Sequence, residues 1–271
     1  MDKLDHAKKL HKETRATMLT AEVEKGLLRK YDKAKRRLLL LDYDGTLVPF
    51  FGKPEEARPG DDLFQLLKSL AVNPKNEVVI LSGRDKDTLD QWFQHLGLSL
   101  VAEHGVWLKQ RQWVMIEPLA NEWKKEIRPI LEAYREQTPG SFIEEKEFSL
   151  VWHYRITDSE LGTMRVLELI DELSNLTANL NLQILEGIKV VEVKNSAINK
   201  GRAASRLIEQ RQHDFILAIG DDRTDEDTFN VLPEYAYSFK VGLSSSLARF
   251  HLETQEDVLL LLKKLVSPRA K

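Results

Sequence analysis

Residues Arg37–Phe50 read RLLLLDYDGTLVPF: four leucines run into Asp42, Asp44 follows two positions on, and Gly45 and Thr46 stand directly behind. Consecutive leucines without alternation suit a strand buried on both faces, as in a parallel sheet covered by helices. Open sheets of that kind hold ligands just beyond the carboxyl ends of their strands, and the two carboxylates fall at that edge. With Tyr43 between them, Asp42 and Asp44 can turn toward one point, and Gly45 permits a tight backbone there. Taken alone, Asp-Gly reads first as a turn with Asp44 as a cap. The rest of the chain decides.

Outward from this stretch the pattern alternates. Apolar runs at 38–41, 78–81 and 98–102 predict strands, and 61–70 and 88–96 predict helices between them. That β-α-β rhythm belongs to a parallel sheet with helices on its faces. It resumes near the C-terminus with helices at 201–210, 225–232 and 255–265 and strands at 215–219 and 236–241. Between the two halves lie strand-like pieces at 106–109, 113–116, 141–144, 150–156, 182–185 and 190–193, with helices at 121–136 and 159–173. These predict an antiparallel α+β insert. The expected organisation is an N-terminal helical arm at 1–34, a Rossmann-like parallel core at 35–106 and 192–271, and an inserted α+β cap at 107–191.

Composition narrows the function. The chain has 271 residues, 42% hydrophobic and 31% charged, the balance of a globular chain long enough for one large or two modest domains. No apolar run reaches the length of about 18 residues that a membrane helix needs, so no membrane partner is expected. There is no cysteine. Disulfides, thiolate metal sites and a cysteine nucleophile are thereby excluded, which suits a reducing cytoplasm. A net charge of -3 argues against nucleic acid as a partner. Residues 1–37 nevertheless carry twelve Lys or Arg against six Asp or Glu, a pattern that fits a solvated helix face or a surface for acidic partners.

Three further strand ends carry polar clusters like that of the first. VVILSGR delivers Ser82, Gly83 and Arg84, a hydroxyl and backbone N–H groups able to hold phosphate oxygens. VEVKNSAINKG places Lys200 at a helix start, where a point charge and a helix N-terminus together favour an anion. FILAIGDDRTDED releases Asp221, Asp222 and Asp225. So many carboxylates at one edge repel one another unless a divalent cation neutralises them, and all-oxygen donors point to Mg2+.

The order acid pair, hydroxyl, lysine, acid cluster is where a resemblance appears. DYDGT, LSGR, NKG and GDDRTDED resemble the four motifs of the haloacid dehalogenase phosphatase superfamily, and the insert resembles its C2-type α/β cap. Closer still is the similarity to the trehalose-6-phosphate phosphatase family. It is carried by LLLLDYDGTLVPF, VAEHGVWLK, EKEFSLVWHYR, KVVEVKN with NKGRA, and GDDRTDEDTF, and it spans the chain from about Lys35 to Leu265.

This resemblance implies a Mg2+-dependent phosphatase. Asp42 would be the nucleophile and a metal ligand, and Asp44 the acid–base residue and a ligand through its backbone carbonyl. Asp221 would be a further ligand, with Asp222 and Asp225 in the outer shell, and Ser82 and Lys200 would bind the transferring phosphoryl group. The substrate implied is a small-molecule sugar phosphate. Glu144, with adjacent Glu145 as the alternative acid, Lys146, Glu186, Lys189, His153 and Arg155 are the substrate-binding candidates of the cap, and Gly83, Arg84 and His104, near the core edge, are those of the core. A related sugar-phosphate phosphatase, acting on sucrose phosphate, a mannosylglycerate phosphate or a phosphohexose, and a catalytically silent regulatory subunit remain as alternatives. Because the basic arm resembles the junction after a trehalose-6-phosphate synthase domain in fused enzymes, such a domain or subunit is an expected partner.

Overall fold

The computed structural model describes residues 16–177 and 180–267. The first fifteen residues of the expected arm, with their charges, lie outside the described residues. The strands are β1 (Thr17–Met18), β2 (Arg37–Asp42), β3 (Asn76–Leu81), β4 (Ser99–Ala102), β5 (Trp107–Lys109), β6 (Trp113–Met115), β7 (Phe142–Glu145), β8 (Ser149–His153), β9 (Leu182–Gly187), β10 (Val190–Asn195), β11 (Phe215–Gly220), β12 (Tyr237–Val241) and β13 (Phe250–Leu252).

Nine of them form one sheet in the order β1-β13-β12-β11-β2-β3-β4-β5-β6, parallel as far as β4. β2 sits at its middle with all six positions buried. The two faces separate by alternation. Leu39, Leu41, Ile80 and Leu217 pack under helices Ala21–Lys33, Asp61–Val72, Lys86–Phe93 and Gln255–Val266. Leu38, Leu40, Val79 and Ile216 pack under helices Lys200–Gln210 and Arg223–Asn230. Apolar burial on both faces is what allows the strand to be continuously leucine. Register then fixes the edge: Asp42 pairs with Leu81 and Leu41 with Ile219, so Asp42, Ser82 and Asp221 emerge side by side.

The second sheet is antiparallel, in the order β7-β8-β10-β9. Trp152, Val191, Leu150 and Val193 turn toward helices Lys124–Gln137 and Ser159–Thr177, packing on Ile127, Leu131, Leu169 and Leu173. Its other face looks onto the carboxyl edge of the large sheet.

Two expectations need correction. The insert expected at 107–191 does not begin with β5: β5 and β6 pair antiparallel onto β4 and extend the large sheet. At the other boundary, β10 stays in the small sheet as far as Asn195, so residues 192–195 belong with the cap strands. Antiparallel hairpins look alike in sequence whichever sheet edge receives them. β1 and β13 are absent from the sequence reading because strands of two and three residues show no periodicity. Among the described residues no helix is long and apolar enough to cross a membrane.

Candidate active site

Lys200 is the first residue of its helix, whose N-cap Asn199 accepts a hydrogen bond from the amide of Arg202. Its Nζ lies 2.5 Å from Asp42 Oδ1 and 2.8 Å from Asp225 Oδ1, all three side chains buried. The other oxygen of Asp225 accepts the backbone amides of Asp221 and Asp222, each at 3.1 Å. Asp221 Oδ1 accepts the Thr46 hydroxyl at 3.1 Å. Asp42, Asp221 and Asp225 thus converge, with one oxygen from each within 4.8 Å of the others. A side chain at position 45 would run into Asp221, and φ there is +83°, so only glycine fits the turn.

The electrostatics are those of a crowded anionic floor. Burial, reinforced by Asp225, lifts the Asp42 carboxyl well above its usual range against the pull of Lys200. Burial and Asp225 raise Asp221 to about 6. Burial works against the Lys200 ammonium, but Asp225 and Asp42 outweigh it and raise its pKa. Asp42 Oδ2 is buried and has no hydrogen-bond partner among the described residues. An unpaired buried carboxylate oxygen beside two further carboxylates is the donor set a hard divalent cation takes.

The structure sorts the remaining edge residues. Asp225, expected in the outer shell, stands beside Asp42 and Asp221 and is paired with Lys200, and it does not line the cavity. Asp222 lines the cavity, but its side chain is engaged as the cap of its own helix, accepting the amide of Arg223 at 2.6 Å, because the helix begins at Arg223 and makes residue 222 the N-cap. The Asp44 side chain is held by Arg84 through a two-pronged contact, Nε to Oδ2 at 2.9 Å and Nη2 to Oδ1 at 2.6 Å. Arg84 also donates to the Pro54 carbonyl at 2.7 Å and lies over the Trp92 ring at 4.7 Å. Arg84 is therefore placed to orient Asp44. Ser82 is buried and its hydroxyl accepts the amide of Arg84 at 3.1 Å. His104 packs its ring over Gly83, where a side chain would collide with it, and Nε2 meets Glu192 Oε2 at 2.9 Å.

Above this edge opens a cavity of about 510 Å³, floored by Asp42, Asp44 and Lys200 and roofed by the second sheet. Cross-strand register builds the roof. Glu144, Val151, Glu192 and Leu185 form one row across β7, β8, β10 and β9, and all four line the cavity. Glu144 Oε2 meets His153 Nε2 at 2.8 Å, and Lys146 Nζ lies 3.4 Å from Glu192 Oε1. Burial pushes Glu144 up, but Lys146 and then His153 outweigh it and hold it at about 2. Burial likewise opposes Glu192, yet Lys146 and His104 keep it well below the carboxylate range. Glu145 turns the other way, onto Lys124 and Arg128, and of the two adjacent acids only Glu144 lines the cavity.

Two cap candidates are not brought to the cavity. Glu186 shares the row of Val191 and Trp152, the face away from the floor, and is exposed. Lys189 lies in the β9–β10 turn with φ 61° and its ammonium 5.5 Å from the Tyr154 ring. Strand alternation puts Leu185, Gly187 and Val190 into the lining instead. Arg155 does reach the rim, donating to the carbonyls of Phe51 and, at 2.8 Å, Ile188. Sequence reasoning missed Glu192 and Thr46. Glu192 has a signal, a lone acid flanked by valines on a strand, which places it opposite in parity to the buried apolar face.

A family model described as Trehalose-phosphatase matches residues 40–254. The bifunctional trehalose-6-phosphate synthase/phosphatase of Thermoproteus tenax is 44% identical over 240 residues, which cover 88% of this chain and 33% of that protein. The chain spans about a third or less of the length of the first curated relatives it matches. Among solved structures, the C-terminal domain of the C. albicans trehalose-6-phosphate phosphatase superposes with a TM-score of 0.87 at 32% identity, covering 93% of this chain and 99% of that one. A haloacid dehalogenase-like hydrolase from Bacteroides thetaiotaomicron shares the fold at 14% identity and a TM-score of 0.63, covering 85% of this chain and all of that one.

Proposed function

The chain belongs to the trehalose-phosphatase family, and from that premise we propose that it hydrolyses trehalose 6-phosphate to trehalose and phosphate through an aspartyl-phosphate on Asp42, with Mg2+ as cofactor. The observation that carries the reading is the placement of a buried, lysine-paired aspartate with one free oxygen under a cavity large enough for a disaccharide and roofed by polar side chains.

Phosphate monoesters are inert chiefly because an anionic nucleophile must approach an anionic ester, so positioning and charge neutralisation do most of the work. A carboxylate oxygen of Asp42 attacks phosphorus in line; the Asp42 O–P bond forms as the bond from phosphorus to the sugar oxygen breaks. Asp44 gives its proton to that departing oxygen, then takes one from the water that hydrolyses the acyl phosphate and frees Asp42. Arg84 positions the Asp44 carboxylate through its paired contact, from which Asp44 must swing away to carry the proton. Lys200 neutralises the floor and, with Ser82, binds the phosphoryl oxygens. Asp42 and Asp221 would hold Mg2+ with the Asp44 backbone carbonyl, Asp225 buttressing them from behind. When bound, the ion neutralises the converging negative charge of floor and phosphate. In the cap, Glu144, Lys146 and Glu192 present charged hydrogen-bonding groups to the sugar hydroxyls, the kind of site that rejects esters leaving those groups unpaired. Fused relatives support a synthase domain as partner, and the absence of cysteine supports a reducing, cytoplasmic setting.

The test is phosphate release, with Mg2+, from trehalose 6-phosphate, sucrose phosphate, a mannosylglycerate phosphate and a hexose phosphate. Preference for any ester other than the first overturns the substrate. No release from any of them points to a silent subunit.

A further inference from the structure

Between β4 and β5 the chain makes the turn Glu103–Gly105, in which Glu103 and His104 both adopt left-handed backbone conformations, φ 47° and 55°. Two adjacent non-glycine residues in that region are uncommon, and such strain persists where surrounding structure over-determines it. The conformation sends both side chains to cap strands. His104 meets Glu192 on β10, and Glu103 Oε2 accepts the amide of Phe148, in the β7–β8 turn, at 3.0 Å. The backbone of the same turn is bonded to the phosphate-side turn: the Glu103 amide donates to the Arg84 carbonyl at 2.9 Å and the His104 amide to the Ser82 carbonyl at 3.0 Å.

We infer that Glu103 is a positioning residue for substrate specificity, fixing the distance between the phosphoryl-binding turn and the sugar-binding strands by holding the Phe148 amide. The inference rests on reading the cavity as a sugar-phosphate site. Phe148 is two residues from Lys146, and its turn is also seated on the core by the Lys86–Glu147 ion pair at 2.5 Å, by the Phe148 ring 6.3 Å from that of Trp107, and by packing of Phe148 on Val106 and Ile198. Packing alone permits sliding, whereas a hydrogen bond to a backbone amide sets a register. A shift of the turn carries Lys146 and Glu144 away from a sugar whose phosphate stays on the floor. Burying a carboxylate here is costly: Glu103 is 3% exposed, its Oε1 has no partner, and burial raises its pKa. A side chain kept under such conditions for packing alone would be better replaced by an apolar one.

The experiment compares Glu103→Gln, Glu103→Asp and Glu103→Ala on trehalose 6-phosphate and on a small aryl phosphate. Gln keeps an acceptor at the same reach; Asp keeps the charge but withdraws it by one methylene. On the disaccharide, Asp and Ala are expected to lose roughly 10- to 100-fold in kcat/KM, the scale of a misplaced contact of about an ångström, with KM rising. On the aryl ester they stay within about twofold of wild type on both kcat and KM, because the floor is untouched. Gln stays within a few fold on both. Equal losses on the two substrates, or Gln as impaired as Ala, overturn the inference. Hydrogen exchange at the Phe148 amide gives a second readout independent of activity: slow in wild type and Gln, fast in Asp. If wild type releases no phosphate from trehalose 6-phosphate, the proposed function falls while exchange still decides the clamp; equal exchange in Asp and wild type overturns it.

Discussion

Lys146→Met tests whether the roof of the cavity is held by charge. The methionine keeps most of the stem and removes the ammonium, which lies 3.4 Å from Glu192 and is the strongest attraction acting on Glu144. Glu144 is held at about 2 against an ordinary 4.5. At about 1.4 kcal/mol per pKa unit the whole displacement corresponds to about 3 kcal/mol, the net of attraction by Lys146 and His153 over the opposing effects of burial and Glu192. Glu192 loses its leading partner as well but retains His104 at 2.9 Å. Removing one member of a buried pair costs about 3–5 kcal/mol when nothing compensates. With His104 and His153 in place, a deficit of about 2–4 kcal/mol at pH 7 follows. Denaturant unfolding reads it as a lower midpoint at unchanged slope. The sign with pH is fixed by linkage. Carboxyls depressed in the folded state contribute stability that is full above their unfolded pKa and is lost as pH falls through the folded one, here from 4.5 toward about 2. Wild type therefore loses this contribution on acidification and the variant has little of it to lose, so the difference between them should shrink by about half or more at pH 3. A deficit that does not change with pH would refute the electrostatic account and leave Lys146 as a packing residue.

Asp42→Asn is expected to abolish phosphate release while leaving the fold intact, since the amide keeps the shape and removes the nucleophile; appreciable turnover in the purified variant refutes the assignment. EDTA should stop activity and Mg2+ restore it. Without metal, the raised carboxyl of Asp221 favours the protonated form: its contribution is complete below 3.8 and is lost as pH rises through about 6. Added Mg2+ should consequently raise Tm more at pH 7 than at pH 5, and an equal rise at both would remove the acidic floor as the binding site. Gly83→Ala puts a methyl group into the His104 ring, which should cost about 1–3 kcal/mol by overpacking and impair disaccharide and aryl esters alike; a loss confined to the disaccharide would contradict the placement of that turn against the floor.

The floor was legible because its signal is a violation. Apolar strands that end abruptly in Asp42, Ser82 and Asp221 contradict the demand for a dry core, and parallel register brings such ends together whatever lies between them. Lys200 followed for the same reason, as a charge at a helix start. What the local pattern concealed was which acid turns inward. Asp222 and Asp225 are equivalent as letters, and only the start of the helix at Arg223 sends one to its cap and the other to Lys200.

The cap obeys a different logic, and there proximity in sequence misled. Glu186 and Lys189 lie at the β9–β10 turn and are candidates for the cap site by sequence, yet an antiparallel sheet exposes alternate residues to opposite faces, so closeness along the chain does not bring charged residues to one face. Parity would have served better. Glu144 and Glu192, 48 positions apart in the numbering, stand in one cross-strand row because each pairs with Val151. Lys146 then lies against the second of them from the turn just beyond β7. A roof assembled from such rows has no contiguous motif. Pairing within the sheet sets those rows, but where the sheet stands over the floor is fixed by contacts with the core, among them those of Glu103 and His104 at a turn whose backbone is left-handed at both residues.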